Sequence, residues 1–69
     1  MLLNAWVIVD KYGKIQGIDN NSGGYPYEAD SLNSVKFWLN EDEMNSYLKV
    51  INYGNKGYYS RKVKLEFIE

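Results

Sequence analysis

The side chains that most often carry catalysis are scarce in this sequence, which has no histidine and no cysteine among its 69 residues. Serine–histidine and cysteine–histidine nucleophiles are therefore excluded, together with thiolate metal sites and the imidazole acid–base group. Glu28 with Asp30, or Asp10 with Asp19, could form a carboxylate pair, but these acids lie in predicted turns, where solvated acids are common. The acidic run Glu41–Glu43 is explained better by helix capping than by a metal site. The sequence thus predicts no enzyme, no metal and no cofactor.

Aromatic and basic residues lie side by side near the C-terminus, where rings can stack on bases and cations can neutralise phosphates. Single-strand nucleic-acid binding is therefore one prediction, and its residues are Tyr58, Arg61, Lys62 and Lys64. Lys56–Tyr58 resembles the start of the RNP1 pattern of RNA-recognition motifs, although the second helix of that fold is missing and the segment is terminal. In the alternative interpretation, Tyr59 points into the core and the bases keep an edge strand soluble.

A glycine-rich turn, Ser22–Gly24, leads into the sequence Tyr25–Tyr27, which has a central proline. The turn resembles a fragment of a phosphate-binding loop, but neither a P-loop lysine nor a helix start follows it, so a flexible turn is favoured. Two large rings beside the fixed φ angle of a proline usually pack against another surface of the protein. This segment is therefore predicted to be ordered. A further functional prediction is an oligomer that sequesters a small ligand beside Gly23 and Gly24.

The hydrophobic patterns predict four strands and one helix. The predicted strands are Leu3–Val9, Lys14–Ile18, Val35–Trp38 and Tyr58–Ile68. Asp19–Ser34 has no regular period and is predicted to be a long loop, in which Asp30 and Ser31 could cap one helical turn over Leu32–Ser34. The predicted fold class is α+β, in the order β-β-long loop-β-α-β. It has a small, mostly antiparallel sheet of about four strands with one helix on one face.

The helix has the strongest local signals in the chain. Asn40 is a good N-cap with Glu43 three residues later, as in a capping box, and Leu39 and Met44 occupy the positions of a hydrophobic staple. The apolar stripe has the spacing i, i+3, i+4, i+7 and consists of Met44, Tyr47, Leu48 and Ile51. Gly54 is placed to end the helix.

One helix cannot cover both faces of such a sheet. In this arrangement the helix-free face carries Trp6, Ile8, Ile18 and Trp38. These side chains would form a larger apolar patch than a monomer normally exposes. Three explanations stay open: the loop over residues 19–34 covers the patch, a second copy pairs there, or a different protein binds it.

Length and charge limit the organisation of the chain. The 69 residues give room for one domain, residues 1–69, and the net charge of −1 indicates neither attraction to nucleic acid nor mimicry of it. The charge is nevertheless two-sided, because residues 19–43 hold six acids and one base whereas residues 44–65 hold five bases and no acid. The lack of cysteine favours the cytoplasm, and the apolar N-terminus reaches Asp10 too soon to span a membrane.

The surplus of tyrosine and tryptophan, together with the missing catalytic side chains, favours a protein-binding module with a protein partner, and a homo-oligomer is a further expectation. The predicted contact residues are Tyr25, Tyr27, Trp38, Tyr58 and Arg61. No membrane partner is expected.

Several segments together resemble small bacteriophage accessory proteins in size and layout. They are Trp6–Asp10, Gly13, Gly17–Asp19, Ser22–Tyr27 and Glu43–Leu48. The resemblance implies a phage-encoded protein in the cytoplasm of a host cell. Such proteins often bind and inhibit a host enzyme or a defence complex.

Overall fold

The computed structural model describes residues 1–68, and its fold class is α+β, as the sequence predicts. In chain order the main elements are β1 (Leu2–Val9), β2 (Gln16–Asp19), β3 (Tyr25–Glu28), α1 (Glu41–Ile51) and β4 (Tyr59–Glu66). One-turn 3-10 helices cover Asn20–Ser22 and Leu32–Ser34, and the second confirms the predicted helical turn. Within residues 1–68, no helix is long and apolar enough to cross a membrane.

The strands form two small antiparallel sheets. β1 pairs along its whole length with β4, and β2 pairs with β3. The other edge of β1 makes isolated bridges, which join Val9 to Ile15 and Trp6 to Trp38. The described residues therefore do not form the single sheet of about four strands that the sequence predicts.

The predicted strand Val35–Trp38 is wrong. Trp38 makes one bridge to Trp6, with backbone N–O distances of 2.9 Å in both directions, whereas the amide of Lys36 donates to the carbonyl of Gln16 on β2. The segment divides its hydrogen bonds between β1 and β2, so it joins the two sheets instead of extending either one.

The predicted loop over residues 19–34 is also wrong, because it contains β3. The side chain of Asp19 accepts a hydrogen bond from the amide of Asn21 at 2.9 Å, and Gly23 adopts a left-handed φ of 78° that reverses the chain. Pro26 has no amide to donate, but β3 lies at the edge of its sheet, where proline is tolerated. The Tyr-Pro-Tyr segment is therefore the second strand of a hairpin.

Local rules correctly predict the start of α1. The Asn40 side chain accepts a hydrogen bond from the amide of Glu43 at 2.9 Å, which satisfies one of the free donors of the first turn. The three acids Glu41–Glu43 stand in that turn, at the positive end of the helix dipole. The helix ends at Ile51, and Gly54 follows with a φ of 86°.

The core is thin and centred on β1. Its buried apolar side chains are those of Ala5, Val7, Ile8, Val9 and Met44. Because successive strand residues point to opposite faces, the burial of residues 7–9 shows that both faces of β1 are covered at its C-terminal end. The prediction that Ile8 lies on an open face is therefore wrong.

The outer strand β4 is only half-buried. Val63 and Leu65 are half-buried, as their alternation predicts, and the basic residues Arg61, Lys62 and Lys64 are exposed. The alternative interpretation that Tyr59 points into the core is wrong, because its side chain is 41% exposed.

Candidate functional site

An open groove of about 1120 Å³ lies between the C-terminal part of α1, with the loop that follows it, and the β2–β3 hairpin. Ser34, Val35, Lys36 and Trp38, from the segment that joins the two sheets, line the same groove. Its aromatic side chains are Tyr25, Trp38, Tyr47, Tyr53 and Tyr58. Two lysines line it, and no aspartate or glutamate of the described residues does.

Trp38 and Tyr47 form an aromatic pair inside the groove. Their ring centroids are 5.2 Å apart with an interplanar angle of 35°, a spacing at which aromatic pairs attract each other. The Tyr47 hydroxyl donates to the carbonyl of Gly24 at 2.6 Å, which ties helix α1 to the hairpin. Burial, and then the neighbouring Tyr58, raise the pKa of Tyr47 above its ordinary value of 10.0. Tyr47 therefore stays neutral and donating at physiological pH. The prediction that Trp38 lies away from the helix is wrong.

Tyr58 is held in place by Asn52, the residue that directly follows α1. The Asn52 amide nitrogen donates to the carbonyl of Tyr58, and the Asn52 amide oxygen accepts from the backbone amide of Tyr58, both at 2.8 Å. A side-chain amide carries both a donor and an acceptor, so one asparagine can satisfy both backbone groups of Tyr58. This double contact fixes where the chain returns from the helix and places the half-buried Tyr58 in the groove.

Lys36 and Lys56 are the two cations of the groove. The ammonium nitrogen of Lys36 lies 4.9 Å from the centre of the Trp38 ring, within range of a cation–π interaction. Lys56 is carried by a turn in which Gly54, Asn55 and Gly57 all have positive φ angles. In a chain with a net charge of −1, this lining with two cations and no acid makes the groove locally positive.

The rim of the groove exposes apolar side chains to water. Tyr53 is 88% exposed, Val50 71% and Tyr25 70%. Single exposed apolar residues are common, but these three line the same groove. They provide ring and methyl surface that can contact a ligand without any rearrangement of the core.

The structure brings together three of the five predicted contact residues. Tyr25, Trp38 and Tyr58 line the groove, whereas Tyr27 lies beside Gly17 in the β2–β3 hairpin and Arg61 lies on β4 opposite Val7. Tyr47, Tyr53 and Lys36 were not among the predicted contact residues, and Lys56 was named only in the segment that resembles RNP1. Tyr47 belongs to the apolar stripe of α1 and was therefore expected in the core.

Arg61, Lys62 and Lys64 of the predicted nucleic-acid residues lie together on β4, directly after Tyr58. Of the four, only Tyr58 lines the groove, and Lys62 and Lys64 stand exposed on β4. Gly23 and Gly24 do line the groove, but the Gly24 amide is already committed to the carbonyl of Asp19 at 2.9 Å. Residues 1–68 contain no group of three or more histidine, cysteine, aspartate or glutamate side chains that could hold a metal ion.

Comparison with known proteins found no match. No protein-family model, no curated protein and no solved structure matches the chain.

Proposed function

We propose that this domain is a binding protein rather than an enzyme, and that its groove holds a ligand with both a flat ring and a negative charge. The observation that carries the proposal is the lining of the groove by the described residues, which comprises five aromatic side chains, two lysines and no carboxylate. Aromatic side chains stack on flat rings, and ammonium groups attract anions. A ligand that combines the two features uses both kinds of side chain at once.

The rest of the groove supports binding without catalysis. Among residues 1–68, the ionisable groups that line it are tyrosines and lysines, and the Tyr47 hydroxyl is committed to the Gly24 carbonyl. A general acid or base works best when its pKa lies near the operating pH, and burial moves the pKa of Tyr47 further from neutrality. The groove is therefore equipped to position a ligand rather than to transfer its protons.

A fused-ring sulfonate, 8-anilinonaphthalene-1-sulfonate, tests the proposal because it carries both features and reports binding by fluorescence. We expect one saturable site on the full chain. Replacing Tyr53 with alanine removes a stacking surface worth about 1–3 kcal/mol, and Lys36→Gln removes a cation, so both variants should bind more weakly.

Matched controls come from residues outside the groove. Tyr12 is 75% exposed and Lys49 is exposed, and neither lines the groove. Tyr12→Ala and Lys49→Gln should therefore bind the dye like the parent chain. If the groove variants and the controls lose affinity equally, or if the dye shows no saturable site, the proposal is wrong.

A protein partner is a second candidate, which the exposed rim favours. Tyr25, Val50 and Tyr53 together resemble the centre of a protein interface, where aromatic side chains are enriched. From the resemblance to phage accessory proteins we propose a host or defence protein, inhibited in the bacterial cytoplasm. Affinity purification from bacterial lysate should recover a stoichiometric protein with the parent chain and with Tyr12→Ala, and lose it with Tyr53→Ala. Recovery of no such protein rejects this candidate.

A further inference from the structure

We infer that the ligand of the groove is a nucleotide unit with one or two phosphate groups, either free or at the end of a single strand. The inference rests on the proposed function and specifies the ligand. It assigns the base to the exposed tyrosines and the phosphates to Lys36 and Lys56.

The size of the groove fits a base, a sugar and a phosphate together. Ligand pockets usually have volumes of about 300–1,000 Å³, and this groove of about 1120 Å³ lies just above that range. Because it is open rather than enclosed, a longer molecule can leave through the rim. A nucleotide at the end of a strand is therefore accommodated as readily as a free nucleotide.

Tyr25 and Tyr53 are the side chains available to stack on a base. Trp38 and Tyr47 already contact each other, whereas Tyr25 and Tyr53 are 70% and 88% exposed and keep free ring surface. Asn20 lines the same groove and offers an amide that can both donate to and accept from a base edge. Stacking tolerates any base, so we expect weak discrimination between bases.

The charges favour a short ligand over a long strand. Lysine binds phosphate as a point charge, and only Lys36 and Lys56 line the groove. The basic residues Arg61, Lys62 and Lys64 lie on β4, and none of them lines it. A strand held in the groove alone would therefore have only one or two of its phosphates neutralised. An acidic peptide could satisfy the lysines but would not need the exposed rings.

The test is a ¹H–¹⁵N chemical-shift titration of the full chain with adenosine monophosphate, adenosine, inorganic phosphate, octaglutamate and a thymidine octamer. Adenosine monophosphate should bind about tenfold more tightly than adenosine or phosphate, which corresponds to about 1.4 kcal/mol. Its shifts should concentrate at Gly24, Tyr25, Lys36, Tyr53 and Lys56. Lys56→Gln should lower the affinity for adenosine monophosphate about fivefold and leave the affinity for adenosine unchanged. The control Lys49→Gln should change neither affinity.

The octamer distinguishes the two sources of the nucleotide. If only a terminal nucleotide binds, the logarithm of affinity should fall against the logarithm of salt concentration with a slope of about −0.7 to −1.4, since each of the one or two neutralised phosphates on a single strand contributes about −0.7. Binding of adenosine monophosphate without the octamer identifies a free nucleotide as the ligand. A slope of about −3 or steeper means that the strand is tracked over several phosphates and overturns the inference.

The remaining outcomes separate the inference from the proposed function. If adenosine monophosphate binds no better than adenosine, or if octaglutamate displaces it with equal affinity, the inference fails. The proposed function still stands in that case, provided that the naphthalene sulfonate binds and is weakened by Tyr53→Ala and Lys36→Gln. If the dye also fails, both are wrong.

Discussion

Replacing Gly17 with alanine should destabilise the fold strongly, although the backbone angles of Gly17 are open to any residue. A Cβ atom built at Gly17 would overlap the carbonyl oxygen of Ser34 and lie 3.0 Å from Cζ of the Tyr27 ring. The Ser34 oxygen belongs to the backbone, so it cannot move aside as a flexible side chain would. This close approach is what allows the segment from Ser34 to Trp38 to join the two sheets.

The expected loss of stability from Gly17→Ala is about 3 kcal/mol, the upper end of the usual overpacking range. A domain of this length has a total stability of roughly 3–10 kcal/mol, so a large share would be lost. The midpoint of thermal unfolding should fall by about 12–24 °C, since about 4–8 °C is lost per kcal/mol in a domain of this size.

Urea and thermal unfolding followed by circular dichroism measure this loss, and Gly13→Ala is the matched control. Gly13 has a φ of 83° but open space where its Cβ would lie, so alanine there costs only the left-handed strain of about 1–2 kcal/mol. The reasoning is refuted if Gly17→Ala is as stable as the parent chain, or if it costs less than Gly13→Ala.

Three further variants test the contacts that build the groove. Asn40→Ala should lower the free energy of unfolding by about 1 kcal/mol in urea titrations, because the cap of α1 is lost. Asn52→Ala removes both hydrogen bonds to the Tyr58 backbone; it should cost about 1–3 kcal/mol and weaken dye binding to the groove. Tyr47→Phe tests how the free energy of unfolding depends on pH. The folded pKa of Tyr47 is raised, so the stability that its neutral phenol contributes is intact below about pH 10 and is lost as the pH rises through the folded pKa. Phenylalanine cannot ionise, so the variant does not lose stability in this way. The urea midpoint of the parent chain should therefore fall toward that of the variant in alkali. If the difference in urea midpoint between parent and variant stays constant as the pH rises through the folded pKa, the stabilising role assigned to the neutral Tyr47 hydroxyl is contradicted.

The parts of the fold that follow local rules were predictable from the sequence. The cap at Asn40 sets the start of α1, because such a signal needs only a few neighbouring residues. The turn at Leu32–Ser34 was also predicted, but the predicted cap is wrong, since Ser31 makes no side-chain capping hydrogen bond. The alternation of Val63 and Leu65 likewise placed their side chains inward.

The errors arise where distant segments meet. Val35–Trp38 has the alternation of a strand, but the close approach at Gly17 draws its first part to β2 while Trp38 pairs with β1. Nothing in the local sequence encodes that division. The hairpin strand β3 was missed because Pro26 weakens a strand signal. Proline is tolerated here only because β3 lies at the edge of its sheet, which the local sequence does not reveal.

The candidate site shows the same limit. Tyr25, Trp38 and Tyr58 were chosen as aromatic residues outside regular core positions, and all three line the groove. Tyr53 and Lys56 were not chosen, because their place in the groove depends on where the chain turns after α1. The two-sided charge pattern did not predict a groove that the described residues line with lysines and no carboxylate, since Lys36 and Lys56 come from separate segments.

The most direct test of the account is to find which protons of the protein lie next to the rings of bound 8-anilinonaphthalene-1-sulfonate, measured as intermolecular nuclear Overhauser effects. The account predicts contacts with the ring protons of Tyr53, Tyr25 and Trp38. The competing apolar surface is the far end of the β1–β4 pair, where Leu2 and Phe67 are 58% and 51% exposed. Contacts confined to those two side chains would contradict the claim that the groove is the binding site.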